Sequence, residues 1–455
     1  MQTMGEIVRT IQLPQQPKLN RFINDKDLVK LVKQFGTPVY VIDEQTLHRK
    51  VKELLDAYKK FKGSTRAAYS IKANFNPAVL KAFMKDSIMF DATSAGELYF
   101  HNMCKGNADN IIYTSVTEEL DEYEYALKNG VRRIVVSSYN GLLNLIEAAK
   151  ALNVKPLTMV RINPEVGVKA EVRASYRHGK FGVPFNGNKV DSATNLIKEI
   201  LANEMLIFEG FHFHLGSQIT DYSCFTNALD KLDSFMSKMK KEYPNFKVNT
   251  IDIGGGTPVF YGDSVPTPGD IASSMIGKLN ALHDTHGNFS LIIESGRYLT
   301  AEPCILVSKI VNTKEYANDK FVIVDAGYHV LLDSALLKQE YPQEIVFTGG
   351  KKGDNDNNNN NNINNNGSNN NKVHLAGRLC DTYDVFPISK ASQLQNAELN
   401  KYVLFYNVGA YSIVFNMPFH CQTKPPVVMK SNGQYVMVRK ATTIEHLFAE
   451  EGGNL

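Results

Sequence analysis

Short apolar runs alternate with segments of helical periodicity over residues 67–294 of the chain. The apolar runs lie near residues 67–71, 87–91, 111–113, 133–136, 157–162, 207–213, 250–253 and 290–294. Helical patterns fill the intervals, for example at 119–129, 142–152, 193–202, 225–243 and 270–282. A doubly wound open sheet alternates in the same way but usually stops at about five or six strands. Eight strands alternating with helices over roughly 230 residues therefore predict a (β/α)8 TIM barrel of the α/β class.

The pattern changes after residue 299, where helical spacing gives way to a succession of strand-like runs. These runs include CILVSKIV, KFVIVDAG, KYVLFYNVG, PPVVMK and QYVMVRK, and they predict a β domain, a barrel or a sandwich, over residues 300–455. We assign the earlier apolar run at 39–42 to the barrel, which then spans residues 39–299, and we expect residues 1–38 to join the β domain. Residues 351–371 are rich in asparagine and cannot bury enough apolar surface to offset their ordering entropy. We expect them to form a disordered surface insertion.

The composition indicates a soluble, cytoplasmic protein of about two or three folded units. The chain has 455 residues, with 50 Lys and Arg against 47 Asp and Glu and no basic block, so nucleic-acid binding is not expected. It has no run of about 18 apolar residues and no apolar core of a signal peptide, so we expect no membrane segment. Five cysteines without a CxxC pair argue against both a disulfide framework and a structural zinc site.

Lys72 directly follows the apolar run at 67–71 and precedes a turn at Asn76 and Pro77. The lysine is therefore expected at the mouth of a buried strand, where partial loss of water lowers the pKa of an ammonium group. The free amine can then attack a carbonyl and form a Schiff base. Most lysines that end a strand are solvated surface groups, so Lys72 becomes a candidate only in combination with other motifs.

Glycine-rich turns follow the last two predicted barrel strands, which is where such barrels commonly bind phosphate. The seventh strand ends in three glycines at 254–256, whose missing Cβ atoms let backbone N–H groups approach an anion. The eighth strand ends near Gly296 and Arg297, and a guanidinium group can grip phosphate. One glycine turn alone is more often simply a tight turn, whereas two on the expected strands predict a phosphate site.

An inward carboxylate and a histidine complete the predicted site. Glu294 follows two isoleucines and is expected to point into the barrel mouth, although a paired surface carboxylate is the commoner fate of a glutamate. His212 and His214 share one face of the sixth strand, and either is a satisfied core histidine or stacks on a flat cofactor. A Schiff-base lysine, a phosphate site and an inward carboxylate together indicate pyridoxal 5'-phosphate, whose ring nitrogen needs an acidic partner.

The motifs FGTPVYVID, YSIKAN, FDATSAGEL, KFGVP, GFHFHLGSQI, IDIGGG, ESGRY, VDAG, LCDTYD and GAY follow one another from about residue 35 to the end. With them the chain resembles the fold-type III, pyridoxal-phosphate-dependent decarboxylases, the group of ornithine, arginine and diaminopimelate decarboxylases. It is most similar to the diaminopimelate branch. The resemblance implies an alanine-racemase-like barrel with a β domain. It also implies decarboxylation of a basic amino acid, such as meso-diaminopimelate to L-lysine and carbon dioxide in lysine biosynthesis.

The resemblance also implies roles for single residues. Lys72 would hold the cofactor as a Schiff base, His214 would stack on its ring, and Glu294 would pair with the ring N–H. Cys380 would return a proton to the substrate after carbon dioxide leaves. In the family this cysteine and the acid beside it, here Asp381, serve the other subunit, which implies a homodimer with shared active sites. The remaining implied cofactor contacts are Asp91, Glu97, Arg161, Ser217, Gly254, Gly255, Gly256, Gly296, Arg297 and Tyr411, and the implied substrate contacts are Arg297, Asp333, Asp381 and Tyr411.

Two stretches depart from the diaminopimelate branch. That branch carries an arginine for the second carboxylate of the substrate in a stretch like LIRPALY, whereas this chain has Asp333 there and Leu337 in place of the tyrosine. An anion at this place suits an ammonium group instead. Asp381 follows the pattern of ornithine decarboxylases, while Arg378 offers a carboxylate contact from a new direction. The substrate therefore stays open between diaminopimelate and a diamino monocarboxylate such as ornithine or lysine.

Two other functions fit the residues less well. A non-catalytic protein that resembles the antizyme inhibitors is expected to lose cofactor contacts, and this chain keeps Lys72, Glu294 and Tyr411. A racemase that resembles alanine racemase places an arginine against the ring nitrogen, where this chain has Glu294. The sequence therefore favours a pyridoxal-phosphate-dependent carboxy-lyase that acts on a small amino acid and binds no metal.

Overall fold

A computed structural model describes residues 19–177, 179–187, 189–317, 319–346, 372–394 and 397–453. The insertion expected at residues 351–371 lies outside these ranges. The helices are α1 (Asp25–Phe35), α2 (Glu44–Ala57), α3 (Pro77–Lys85), α4 (Ala95–Met103), α5 (Leu120–Lys128), α6 (Tyr139–Leu152), α7 (Ala193–Ala202), α8 (Ser223–Glu242), α9 (Pro268–His286), α10 (Arg297–Thr300), α11 (Leu332–Leu336) and α12 (Ile444–Glu450). The strands are β1 (Val39–Asp43), β2 (Thr65–Ser70), β3 (Met89–Ala92), β4 (Ile111–Tyr113), β5 (Arg133–Val136), β6 (Leu157–Arg161), β7 (Val172–Arg173), β8 (Ile207–His212), β9 (Gly216–Ser217), β10 (Thr250–Asp252), β11 (Ser290–Ser295), β12 (Cys304–Tyr316), β13 (Asp319–Val324), β14 (Gln343–Val346), β15 (Val373–Ala376), β16 (Val385–Phe386), β17 (Tyr402–Tyr406), β18 (Val427–Ser431) and β19 (Gln434–Arg439).

Eight parallel strands close into a barrel in the order β2, β3, β4, β5, β6, β8, β10 and β11. Each of the eight apolar runs found in the sequence overlaps one of these strands, so the predicted (β/α)8 fold is confirmed. Six strands each contribute one side chain to a separate buried cluster that fills the barrel interior. The cluster consists of Ala68, Met89, Ile112, Val135, Met159 and Ile292.

Polar caps begin the helices that follow the barrel strands. The side chains of Ser94, Ser138 and Ser192 accept backbone N–H groups at the starts of α4, α6 and α7. Thr267 and Asp270 exchange hydrogen bonds at the start of α9 in a capping box. Each cap satisfies orphan N–H groups of the first turn and stabilises its helix by about 1 kcal/mol. These caps determine where the chain leaves each strand end, and the strand ends carry the functional side chains.

The β domain is an open sheet with the strand path β16, β15, β13, β12, β1, β18 and β19, to which β17 and β14 are added beside β12. β1 lies inside this sheet, antiparallel to β12 and parallel to β18. The assignment of residues 39–43 to the barrel is therefore wrong, and the first barrel strand is β2. A strand buried on both faces has the same continuous apolar pattern in a barrel and in the middle of a sheet, so the sequence alone could not separate the two.

The lead-in before β1 contains α1, which the sequence pattern did not reveal. Leu28 and Leu31 of this helix pack in one buried cluster with Val39, Val307 and Leu404 of the sheet. The helix begins at Asn24, whose side chain accepts the N–H of Asp27. The segment therefore covers one face of the β domain.

Hydrogen bonds join the β domain to the rim of the barrel. The backbone N–H of Tyr411 donates to the carbonyl of Ala73 at 3.0 Å, and the Asn74 side chain donates to the carbonyl of Gly409 at 3.1 Å. The loop after β17 is thereby fastened to the turn that carries Lys72. No helix among the described residues combines the length and the apolar character that a membrane crossing requires.

Gly210 in β8 tests how tightly the barrel strands are packed. It has φ of 152°, lies beside the register shift between β6 and β8, and a Cβ there would collide with the carbonyl oxygen of Thr250. We expect Gly210→Ala to lower the free energy of unfolding by roughly 3 kcal/mol, measured by chemical denaturation. The matched control is Gly277→Ala in α9, where a Cβ meets no atom within 4 Å. It should raise stability by roughly 0.5 to 1 kcal/mol, and equal effects of the two changes would contradict the strain at Gly210.

Candidate active site

A cavity of about 520 Å³ opens at the carboxyl ends of the barrel strands, beneath the loop of the β domain that carries Tyr411. Active sites of such barrels lie at this end, because the loops after the strands meet there. The structure brings ten of the predicted residues to its wall. They are Lys72, Asp91, Arg161, His212, His214, Ser217, Glu294, Arg297, Asp333 and Tyr411.

Lys72 lies in a 3-10 turn directly after β2, between the buried residues Ile71 and Ala73. Its side chain is 46% exposed to the cavity, and its Nζ is 3.9 Å from Oδ2 of Asp91. Burial by the surrounding protein opposes the charge, but the attraction of Asp91, Tyr411 and Glu294 outweighs it and raises the pKa of Lys72 above its usual value. The expectation of a lowered pKa is therefore wrong for the protein alone. The reason is that carboxylates surround the amine as well as apolar groups.

Two buried carboxylates face this lysine. Asp91 is 2% exposed and Glu294 is 4% exposed. Burial, reinforced by the charge of Glu294, raises the pKa of Asp91 to about 6. Burial also raises the pKa of Glu294, while Lys72 and Arg161 act in the opposite direction. The cavity therefore contains a small cluster of acids and bases whose charges depend on one another.

Two histidines, His212 and His214, lie at the end of β8 and just after it. The backbone N–H of Gly255 donates to Nδ1 of His214 at 3.0 Å, which leaves the ring proton on Nε2. Burial, together with the positive charges of Lys72 and Arg161, holds the pKa of His214 well below its usual value, so the ring is neutral. His212 is 1% exposed and reaches below the cavity floor, with Nε2 3.2 Å from Oε1 of Glu294.

The glycine turn after β10 differs in part from the prediction. The N–H of Gly254 donates to Oδ1 of Asp252 at 2.8 Å, and the N–H of Gly255 donates to His214. Both groups are thus paired with side chains of the protein, and the contact of Gly254 and Gly255 with a phosphate stays a prediction. A Cβ on Gly256 would stand 2.6 Å from Cδ1 of Ile219, so the turn still requires glycine for close packing.

A cationic pocket lies between the end of β11 and the β domain. Arg297 is 7% exposed, its Nη1 donates to the hydroxyl of Tyr261 at 3.3 Å, and its guanidinium lies 4.9 Å from the ring of Tyr411. Its buried Nε has no hydrogen-bond partner within the described residues. A Cβ on Gly296 would approach Cβ of Ala73 to 2.9 Å. An unpaired guanidinium nitrogen beside a turn that excludes side chains suits a phosphate group.

The site therefore fits pyridoxal 5'-phosphate. An amine at Lys72 meets the aldehyde, the carboxylate of Glu294 suits a ring N–H, and Arg297 suits the phosphate. The neutral, fixed ring of His214 offers a flat face for stacking.

Besides the four glycines, three predicted residues do not line the cavity. Cys380 lies exposed in another part of the β domain, where its N–H donates to Nδ1 of His420 at 3.3 Å. Asp381 accepts the hydroxyl of Tyr328 at 3.2 Å. Glu97 accepts the N–H of Thr93 at 2.7 Å, behind the cavity wall, and burial raises its pKa to about 7. Cys380 and Asp381 thus do not reach the cavity of their own chain.

The structure adds two cationic residues that the sequence analysis missed. Arg173 and Lys180 both line the cavity, and Lys180 lies 5.1 Å from the ring of Phe181. Arg173 is positioned by the pairing of β7 with β9, which places it opposite Gly216. A signal was present, because four basic residues at 169, 173, 177 and 180 fall in the connection after β6, on the side where barrel loops form active sites.

Comparison with known proteins gives concordant matches. The family model described as "Pyridoxal-dependent decarboxylase, pyridoxal binding domain" matches residues 45–301. The diaminopimelate decarboxylase of Methanocaldococcus jannaschii is 27% identical over 438 residues, which cover 94% of this chain and 94% of that protein. The structure of diaminopimelate decarboxylase from M. jannaschii in co-complex with L-lysine has a TM-score of 0.81 at 26% identity, covering 93% of this chain and 94% of that chain. Lysine decarboxylase from Selenomonas ruminantium, with a TM-score of 0.72, 22% identity and coverage of 91% and 98%, shows the shared fold alone.

The family model covers more than half of the chain and contains Lys72, His214, Glu294 and Arg297, the groups that suit the cofactor. The resemblance read from the motifs, the fold class and the cofactor are thereby confirmed. The chain belongs to the pyridoxal-dependent decarboxylases and is an enzyme that uses pyridoxal 5'-phosphate to remove carbon dioxide from an amino acid.

Proposed function

We propose that the enzyme decarboxylates meso-diaminopimelate to L-lysine. The observation that carries the proposal is the composition of the cavity wall, where Asp333 lies in the same cavity as Arg173 and Lys180. The distal carbon of diaminopimelate bears both an ammonium and a carboxylate group, so it needs an anion and a cation within one pocket. The match to diaminopimelate decarboxylases over 94% of both chains supports the same substrate.

The residues that line the cavity would have separate roles in the reaction. Bound pyridoxal 5'-phosphate supplies an electron-withdrawing ring that takes up the electrons left when carbon dioxide departs. Glu294 would accept the N–H of that ring, and the neutral imidazole of His214, which Gly255 orients, would pack against the ring. Arg297, Ser217 and Tyr411 line the cavity and would hold the phosphate and so orient the ring.

Lys72 would be the nucleophile whose amine holds the cofactor. Its raised pKa means that it starts as an ammonium group and must lose a proton from Nζ. Oδ2 of Asp91 lies 3.9 Å away, and the pKa of Asp91 is about 6. A carboxylate of that pKa stays mostly ionised at neutral pH, so Asp91 would hold the ammonium form of Lys72 in place as its counter-ion.

Asp333 is the residue that separates this chain from the arginine-bearing pattern of the diaminopimelate branch. It is 3% exposed, and burial raises its pKa to about 6 although Arg297 lowers it. A cationic group of the substrate beside it would lower this pKa and favour the ionised form. The second candidate function, decarboxylation of ornithine or lysine, is favoured by this single acid, because such substrates carry a distal ammonium group without a carboxylate.

We also propose that the enzyme is a homodimer with shared active sites. Cys380 and Asp381 are positioned outside the cavity of their own chain, although the family mechanism requires them beside a substrate. Exposed apolar side chains accompany them, since Leu336 at the cavity mouth is 66% exposed and Tyr383 is 67% exposed. A second copy of the chain that covers these residues would bring its Cys380 to the cavity and remove apolar surface from water.

Product analysis tests the substrate. The purified holoenzyme is assayed on meso-diaminopimelate and on both enantiomers of ornithine and of lysine. We expect release of carbon dioxide and L-lysine from diaminopimelate alone, and no turnover in Lys72→Ala. Putrescine or cadaverine as the main product would contradict the proposal in favour of the second candidate. Absence of turnover on all five compounds would exclude both.

Arg173→Gln tests which cation meets the second carboxylate. Because an ion pair with the distal carboxylate acts equally in the ground state and the transition state, we expect KM for diaminopimelate to rise about tenfold while kcat stays nearly constant. The control is Arg177→Gln, four residues along the same connection and not at the cavity wall, which should leave both constants unchanged. A rise in KM of equal size in both variants would show that the effect is one of net charge.

Mixed dimers test the shared site. Lys72→Ala and Cys380→Ala chains, each impaired alone, are co-expressed with different affinity tags and the mixed dimer population is assayed. The unfractionated mixture should regain about one quarter of wild-type activity, and dimers isolated over both tags about one half, because each heterodimer contains one intact site. Co-expression of Lys72→Ala with His214→Ala is the control. Both residues line the cavity of one chain, so each site of a mixed dimer lacks one of them, and activity should not return. Failure of the first pair to regain activity would refute sharing.

A further inference from the structure

Three polar side chains meet at the floor of the cavity, at the ends of adjacent barrel strands. Asp252 ends β10, His212 ends β8, and Glu294 lies in β11. Their exposed fractions are 0%, 1% and 4% in that order. One oxygen of each acid and one ring nitrogen of His212 lie within 4.8 Å of one another. Of these three residues only Glu294 has a place in the mechanism above.

Hydrogen bonding within this cluster is incomplete. Oδ1 of Asp252 accepts the N–H of Gly254 at 2.8 Å. Oδ2 of Asp252, Oε1 of Glu294 and both ring nitrogens of His212 make no hydrogen bond in the described part of the chain, although Nε2 of His212 lies 3.2 Å from Oε1 of Glu294. Two carboxyl groups with oxygens within 4.8 Å of each other in a dry interior are costly, because the unpaired acceptors do not recover the hydrogen bonds that they made to water. One proton on Oδ2 of Asp252 converts an acceptor into a donor and pairs the two carboxyl groups.

The charges around the cluster favour the same proton. With every acid ionised, Asp91, Asp252 and Glu294 are three anions, and among the cations at the cavity wall Lys72 and Arg161 interact with them electrostatically. His212 contributes no charge, because burial holds its pKa well below the usual value. Burial, and then the charges of Glu294 and Asp91, raise the pKa of Asp252 well above its usual value, while Arg133 acts weakly against them. Asp252 is the most enclosed of the three acids and is therefore the one that is neutral.

We propose that Asp252 is a carboxylic acid in the native enzyme and serves as a positioning residue that donates its hydroxyl hydrogen to Glu294. A donor at Oε1 stabilises the ionised form of Glu294, so that the proton shared with the cofactor stays on the ring nitrogen. The proposal rests on the place given to Glu294 in the proposed site, but it does not depend on the substrate.

The same side chain also acts on the stacking imidazole. Oδ1 of Asp252 holds the N–H of Gly254, and the next residue, Gly255, holds Nδ1 of His214. One neutral carboxyl group thus supports both the partner of the ring nitrogen and the turn that orients the imidazole.

Two substitutions separate these roles from a general contribution to stability. Asp252→Asn keeps an oxygen for Gly254 and places N–H donors toward Glu294, so kcat should stay within about threefold of wild type. Asp252→Ala removes both and should lower kcat by about tenfold to a hundredfold with KM nearly constant, which corresponds to one hydrogen bond to a charged group. Thr250→Ala is the control, since Thr250 is buried on the same strand but donates to Glu209 away from the cavity. An equal fall of kcat in the Asn and Ala variants would overturn the proposal.

Measurements on the cofactor-free protein test whether Asp252 carries a proton. They need neither turnover nor the Asp252→Ala variant. The infrared difference between wild type and Asp252→Asn at neutral pH should contain the C=O stretch of a carboxylic acid. Because the native pKa lies above the unfolded one, the protonated acid stabilises wild type fully at acid pH and loses this effect as the pH rises toward the native pKa. Asp252→Asn should therefore gain melting temperature relative to wild type with rising pH. Absence of the acid band, a pH-independent difference, or a stoichiometric metal ion lost on substitution would each overturn the proposal.

Discussion

The site depends on burying opposite charges together at one end of the barrel. Asp91 and Glu294 are almost wholly removed from water. Burying either negative charge would be costly without the positive charges of Lys72 and Arg161 nearby. The four groups come from four different strands, which brings their side chains together only when the barrel closes. Closure of the sheet and assembly of the charged cluster are therefore one event, and loss of any single member leaves the others with an unbalanced charge.

The β domain completes what the barrel begins. The turn at Lys72 is held from below by the buried end of β2 and from above by the hydrogen bonds that Ala73 and Asn74 make to the loop of Tyr411 and Gly409. Arg297 lies between the two units, with Tyr261 on one side and the ring of Tyr411 on the other. A turn supported on two sides fixes the orientation of its lysine side chain more firmly than a turn supported on one side, and a lysine that binds a cofactor needs one orientation.

The sequence predicted the barrel well, because the period and length of its apolar runs distinguish strands from helices. It predicted that Lys72 and Glu294 lie at the cavity because each directly follows an apolar run. It misplaced residues 39–43, since a doubly buried strand has the same pattern in either sheet. It did not reveal that the N–H groups of Gly254 and Gly255 contact Asp252 and His214, because neighbouring strand ends bring these groups together and no local pattern encodes that meeting. The basic residues after β6 indicated a cationic loop, but the position of Arg173 on the wall depends on pairing with β9.

The raised pKa of Lys72 changes how its reactivity should be understood. A lysine activated by burial alone would be a free amine in the resting protein, whereas here nearby anions keep it protonated. The pKa of Asp91 is about 6 because burial and the charge of Glu294 raise it, while the attraction of Lys72 lowers it. The Asp91 carboxylate, 3.9 Å from Nζ, therefore favours the charged form of the lysine. The charges of the two groups depend on each other, so the pKa of Lys72 follows any change in the balance of charge around it. A positive charge brought into the cavity beside Lys72 would lower the pKa of the lysine, because like charges disfavour the ammonium form.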